Sequence, residues 1–89
     1  MISNKDKEII FAYAKMFNVQ ELYLFGSSVV NDKDANDIDL AVRGISPALF
    51  FDFYGKLLRY LSKPVDLIDL SKKTKFSELV KKQAVKIYG

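Results

Sequence analysis

Leu22-Tyr23-Leu24-Phe25-Gly26-Ser27-Ser28, answered after a polar excursion by Asp37-Ile38-Asp39-Leu40, decides how this chain is read. An apolar run stops at Gly-Ser, and the chain returns carrying two carboxylates one residue apart. A strand that ends there delivers a small turn bearing a hydroxyl. The strand that follows presents Asp37 and Asp39 on one face, because side chains alternate along a strand with period two. Two neighbouring carboxylates make each other costly to ionise unless a positive charge sits between them. A divalent cation meets that need, and a Gly-Ser turn beside it offers N–H groups and a hydroxyl to phosphate oxygens. The pair of motifs points to a metal–phosphate site.

The rest of the chain frames these strands. Ser3 and Asp6 have the spacing of a capping box, with Ile2 placed as a staple. Ile9, Ile10, Tyr13, Ala14 and Phe17 recur at helical spacing, so residues 4–17 read as an amphipathic helix, and Asn18 suits a left-handed cap. Residues 21–25 form the first strand, buried on both faces. Ser27-Ser28-Val29-Val30 is expected to make a short helical turn and residues 31–36 a polar loop. In the second strand, residues 37–42, Ile38, Leu40 and Val42 face the core while Asp37, Asp39 and Ala41 face the site. Ser46 as N-cap and Pro47 at the first helical position open a second helix through residue 61, with Phe50, Phe53, Tyr54, Leu57, Leu58 and Leu61 on its apolar stripe. Gly55 inside that helix costs about 1 kcal/mol relative to Ala, which predicts a close contact with a neighbouring element. Ser62-Lys63-Pro64 ends it. Residues 65–70 read as a third strand, 75–82 as a helix burying Phe76, Leu79 and Val80, and 85–88 as a closing strand. The order α-β-β-α-β-α-β argues for a single small α+β domain over residues 1–89, a mixed four-stranded sheet backed by helices.

Composition narrows the chemistry. The 89 residues contain no Cys and no His, which excludes disulfides, thiolate catalysis, Ser-His-Asp catalysis and His-ligated metals. Carboxylates, hydroxyls, Lys and Arg remain, and oxygen-only ligands suit Mg²⁺ or Mn²⁺. An apolar fraction of 49% with 28% charged residues is ordinary for a globular protein. No apolar run approaches the ~18–20 residues that span a bilayer, so no membrane partner and a cytoplasmic location are expected. From Ser71 onward six lysines face Glu78 alone, so the net charge of +3 is concentrated in the tail. A solvated Lys-rich helix face explains it better than direct nucleic-acid binding, since no stacking aromatics are interleaved.

A third acid completes the set. Asp66 lies in the apolar run Val65-Asp66-Leu67-Ile68-Asp69-Leu70, where a buried acid needs a partner and metal is a suitable one. Asp69 falls on the opposite side and reads as a strand-end or turn residue. Gly26-Ser27, Asp37-Ile38-Asp39 and Val65-Asp66-Leu67-Ile68 together resemble the signature of the DNA polymerase beta-type nucleotidyltransferase superfamily. In size and layout the chain is most similar to its smallest branch, the minimal nucleotidyltransferases, and Gln83-Ala84-Val85-Lys86-Ile87-Tyr88 resembles that branch's closing strand. The resemblance implies a nucleotidyltransferase fold. It implies a two-ion Mg²⁺ site (Mn²⁺ serving equally) held by Asp37, Asp39 and Asp66, with Asp66 also helping to take a proton from the incoming hydroxyl. Gly26 and Ser27, with Ser28 as a weaker alternate, would hold the β- and γ-phosphates.

The same resemblance implies transfer of a nucleoside monophosphate, AMP from ATP, to a hydroxyl with release of pyrophosphate. Members of this branch pair with a helical HEPN-type protein, and several act as the antitoxin by modifying a tyrosine of that toxin. A HEPN partner, or a homodimer completing the site, is therefore expected. Two departures stand out. Residues 28–36 are one fewer than the family's usual spacing, and Val30 and Asn31 occupy places where the family carries a basic residue and Gly. Losing that charge removes a phosphate contact worth ~1.5–3 kcal/mol. Weak triphosphate binding, a charge supplied by a partner (or by Lys33 from the loop) and decayed activity stay open. With decayed activity the chain would be a stoichiometric binding module that neutralises a helical partner.

Overall fold

In the computed structural model, which describes residues 2–26, 37–71 and 74–89, three helices and four strands follow the order read from the sequence. Helix α1 (Asn4–Met16) starts at Ser3, whose hydroxyl accepts from the Asp6 N–H at 3.2 Å. The Asp6 carboxylate does not return to close the box. It is buried and accepts from the Ser62 N–H at 3.1 Å and the Ser62 hydroxyl at 2.5 Å, tying the start of α1 to the far end of the chain's second helix. Asn18 adopts φ 60° and ends α1 in the left-handed conformation that its short polar side chain tolerates.

Strand β1 (Glu21–Leu24) pairs antiparallel with β2 (Ile38–Arg43) on one side and with β4 (Val85–Tyr88) on the other. Strand β3 (Val65–Asp69) runs parallel to β2, so the sheet order is β3-β2-β1-β4 and the sheet is mixed. The parallel pair requires a crossover, and helix α2 (Pro47–Tyr60) supplies it. The possible short helical turn at 27–30 and the polar loop at 31–36 lie outside the described residues.

The two sheet faces are unlike. Leu22, Leu24, Ile38, Leu40, Val42, Val65 and Leu67 project to one face and meet Ile10 and Ala14 of α1 and Phe53 and Leu57 of α2. Each such large side chain contributes ~1.5–3 kcal/mol by leaving water, which makes this layer the main stabiliser. The other face carries a smaller cluster, Ala41, Leu70 and Val80, with Tyr23, Phe25, Ile68 and Ala84 against it. Helix α3 (Lys75–Gln83) packs there through Val80 and starts at a capping box in which the Ser77 N–H donates to the Thr74 hydroxyl and the Thr74 N–H to the Ser77 hydroxyl.

Three packing expectations are corrected. Helix α3 buries Ser77 and Val80, whereas Phe76 and Leu79 stand 59% and 54% exposed. The capping box turns Ser77 inward and fixes the helix's rotation, so its apolar pair points to solvent. Leu58 is half exposed because the inward line of α2 runs through Phe53 and Leu57. Gly55 meets nothing: a Cβ built on it has no neighbour within 4 Å. The close approach its cost implies is therefore not made among the described residues.

Candidate functional site

Asp39 is the second residue of β2 and Asp66 the second of β3, and the parallel register sets Asp39 directly opposite Asp66. Adjacent strands lie ~4.8 Å apart and opposed residues share a face, so the two carboxylates emerge side by side. They stand on the thinly covered face, each two residues before a member of the α3 cluster, Ala41 and Ile68. Asp37 precedes the first paired residue of β2 and is exposed.

The electrostatics mark Asp39 as the centre. It is half-buried, and its carboxyl is raised above the usual range, first by burial, then by the charge of Asp66 and then by that of Asp37. Three acids thus act on one another. Asp66, expected to be a buried acid, is instead exposed. Strand β3 is an edge strand, and among the described residues no helix covers Asp66. Asp69 falls on the other side of the strand, where its carboxylate accepts from the Ser71 N–H at 2.9 Å and shapes the turn.

Gly26 comes up against the same carboxylate. Its φ of 65° is left-handed, and a Cβ there would stand 2.6 Å from Asp39 Oδ2. Only glycine fits both the conformation and the gap. The Phe25 N–H donates to the Asp39 carbonyl at 3.1 Å, so the chain leaves β1 for its loop against the second carboxylate of the motif. Ser27, the other half of the expected phosphate turn, and Ser28, Val30, Asn31 and Lys33 lie outside the described residues.

The sequence reading missed the residues that hold Asp66 in place. Tyr54, read as a core aromatic, donates its hydroxyl to the Val65 carbonyl at 2.8 Å. The Ile38 N–H donates to the Pro64 carbonyl at 2.8 Å, and the Asp6–Ser62 pair fixes the turn just before. Both helices of the main layer therefore grip the segment that leads into Asp66. No local pattern carries that signal, because each bond joins residues far apart in sequence.

The donor set fits a hard divalent cation: three carboxylates, all-oxygen, with repulsion focused on Asp39. Among the described residues, no group of three or more acids stands close enough to hold a metal ion. Among the described residues no helix is long and apolar enough to cross a membrane.

The family model described as polymerase beta, nucleotidyltransferase, matches residues 4–89. A solved toxin–antitoxin structure with AMP-PNP is 30% identical with a TM-score of 0.75, the match covering 98% of this chain and 74% of that one. The toxin–antitoxin MntA–HepT is 26% identical over 98% of this chain and 73% of that chain, with a TM-score of 0.72. A tri-AMPylated Shewanella oneidensis HEPN toxin in complex with MNT antitoxin is 28% identical over 94% of this chain and 70% of that chain, with a TM-score of 0.71. No curated protein matches.

Proposed function

The chain belongs to the polymerase beta nucleotidyltransferase family, and from that premise we propose that it transfers AMP from ATP to a protein hydroxyl. The acceptor in this reading is a tyrosine of a HEPN-type toxin, and the modification makes the chain an antitoxin. The observation that carries it is the opposition of Asp39 and Asp66 with Gly26 packed on Asp39. The AMP-PNP and AMPylated complexes among its structural neighbours support the choice of nucleotide and acceptor.

Asp37, Asp39 and Asp66 would hold Mg²⁺, with Mn²⁺ suiting the same donors. Bound there, the metal supplies charge neutralisation on the triphosphate and polarisation of the α-phosphoryl group. Gly26 brings the turn against the Asp39 carboxylate, and Ser27 would add a hydroxyl to the β- and γ-phosphates. The acceptor oxygen forms a bond to the α-phosphorus while the bond to the α–β bridging oxygen breaks. The acceptor proton passes to the Asp66 carboxylate, and the bond electrons leave with pyrophosphate. The exposure of Asp66 suits this part, since the incoming hydroxyl must reach it.

A second reading rests on Val30 and Asn31, which leave the loop without the family's basic residue. In it the chain binds and masks a helical partner without chemistry. The deciding experiment offers ATP labelled on its α-phosphate, Mg²⁺ and a HEPN-type toxin to the wild type and to Asp39→Asn. Label on a toxin tyrosine with the wild type alone supports transfer. Toxin inhibition by both proteins without label supports masking.

A further inference from the structure

The exposed side of α2 carries a second feature that the transfer reading does not use. Phe51 is 78% exposed and Leu58 is 50% exposed, and Gly55 lies between them on the same side of the helix. The spacing i, i+4, i+7 puts all three on one stripe. A mid-helix glycine lowers helix stability, and among the described residues nothing comes within 4 Å of the space its missing Cβ leaves. A glycine notch between two bare apolar side chains is a surface shaped for another helix to approach closely, because the missing Cβ lets the two backbones draw together.

The charges beside the stripe say which helix. Asp52 and Arg59 follow Phe51 and Leu58 by one residue each, so both lie on the same flank, and both are exposed. The ion pairs that Glu21 makes with Arg43 and Lys86 do not involve Asp52, and Arg59 lies over the ring of its neighbour Tyr60, 5.5 Å from the centroid. In an antiparallel pair related by a two-fold axis, like flanks meet. With the axis at Gly55, positions three and four before it come level with positions four and three after it on the other copy, to within one residue. Phe51 then packs beside the other copy's Leu58, and Asp52 meets the other copy's Arg59, twice over by symmetry. The helix is complementary to itself in shape and in charge.

We infer that α2 is a self-association face, on which a second copy of this chain packs antiparallel across Gly55. Helix α2 covers the sheet face opposite the one that bears Asp39 and Asp66. Pairing through it leaves both carboxylate sites open to substrate. The inference is independent of whether the site is active.

Sedimentation velocity of the purified chain over a range of concentrations tests this. The wild type is expected to dimerise reversibly, and Gly55→Leu to stay monomeric with an unchanged circular dichroism spectrum. Gly55→Ala separates association from folding: it should melt higher as a dilute monomer and yet dimerise more weakly. Asp52→Arg or Arg59→Asp alone should weaken the dimer about tenfold by setting like charges against each other, and the two together should restore it. A wild type that is monomeric at every concentration overturns the inference, as does a dimer indifferent to Gly55→Leu. Failure of the double exchange to restore pairing overturns it equally. Binding of a HEPN-type protein to this face by a wild-type monomer would assign it to that partner instead.

Discussion

Asp39 and Asp66 face each other across the parallel pair of β2 and β3, and the charge of Asp66 helps hold the Asp39 carboxyl above its usual range. Such a pair costs stability once both carboxyls are ionised. The fold places that cost where both helices of the main layer brace the segment entering β3.

Asp39→Asn is therefore expected to leave the melting temperature unchanged or to raise it. A carboxyl whose folded pKa lies above its unfolded value destabilises the fold once ionised, and the amide removes the charge. Mg²⁺-dependent ATP affinity should fall by at least about a hundredfold, since even outer-sphere partners of metal ligands cost 10–100-fold. A variant that melts much lower, with affinity lost only through unfolding, would contradict this division.

Gly26→Ala is expected to cost about 1–2 kcal/mol for the left-handed backbone alone. The added methyl also collides with Asp39 Oδ2. In an Asp39→Ala background the collision disappears, so Gly26→Ala should cost less there than in the wild type and the two effects should not add. Chemical denaturation of the four proteins measures this, and strict additivity would deny the contact.

Glu21 bridges three strands: its carboxylate meets Arg43 of β2 at 2.9 Å and Lys86 of β4 at 2.8 Å. Hydrogen bonds from Lys86 and then Arg43 hold its pKa down to about 2. A depressed carboxyl contributes stability that is complete above its unfolded pKa and is lost as pH falls through the folded one. Thermal melts of the wild type and Glu21→Gln should thus differ most above pH ~4.5 and converge as pH falls towards about 2. A constant gap across that window would mean the ion pairs do not carry the difference.

Asp6→Ala should be among the most damaging substitutions outside the main core. It removes a buried carboxylate that accepts two hydrogen bonds and leaves the Ser62 N–H without its acceptor. A loss of about 2–3 kcal/mol is expected, a fall of roughly 10–20 °C in melting temperature. Ser62→Ala, which keeps the N–H bond, should cost less. Equal losses would show that the hydroxyl bond alone matters.

Much of this was legible in the sequence, and what was not has a physical cause. The period-two alternation of Asp37 to Val42 and the helix start at Pro47 depend only on local geometry, and both describe what forms, although Ser46 at the cap position makes no side-chain cap bond. The partnership of Asp39 with Asp66 needs two strands to lie side by side in one register, which no spacing in the chain specifies. The apolar neighbours of Asp66 suggest burial, but β3 is an edge strand and Asp66 stands exposed on it, while Ile68 on the same face is partly covered. Helix α3 was phased by its largest side chains, Phe76 and Leu79, whereas the Thr74–Ser77 cap and the contact of Val80 with the sheet set its rotation. Gly55 suggests a close approach by its cost in a helix, but among the described residues nothing approaches it.

The measurement that bears most directly on the carboxylate site is calorimetric titration of the purified chain with ATP, with and without Mg²⁺, alongside Asp39→Asn. Binding that requires Mg²⁺ and vanishes in the variant is the expected result. Binding that is equal in both proteins, or indifferent to Mg²⁺, would contradict a metal–phosphate site built on Asp37, Asp39 and Asp66.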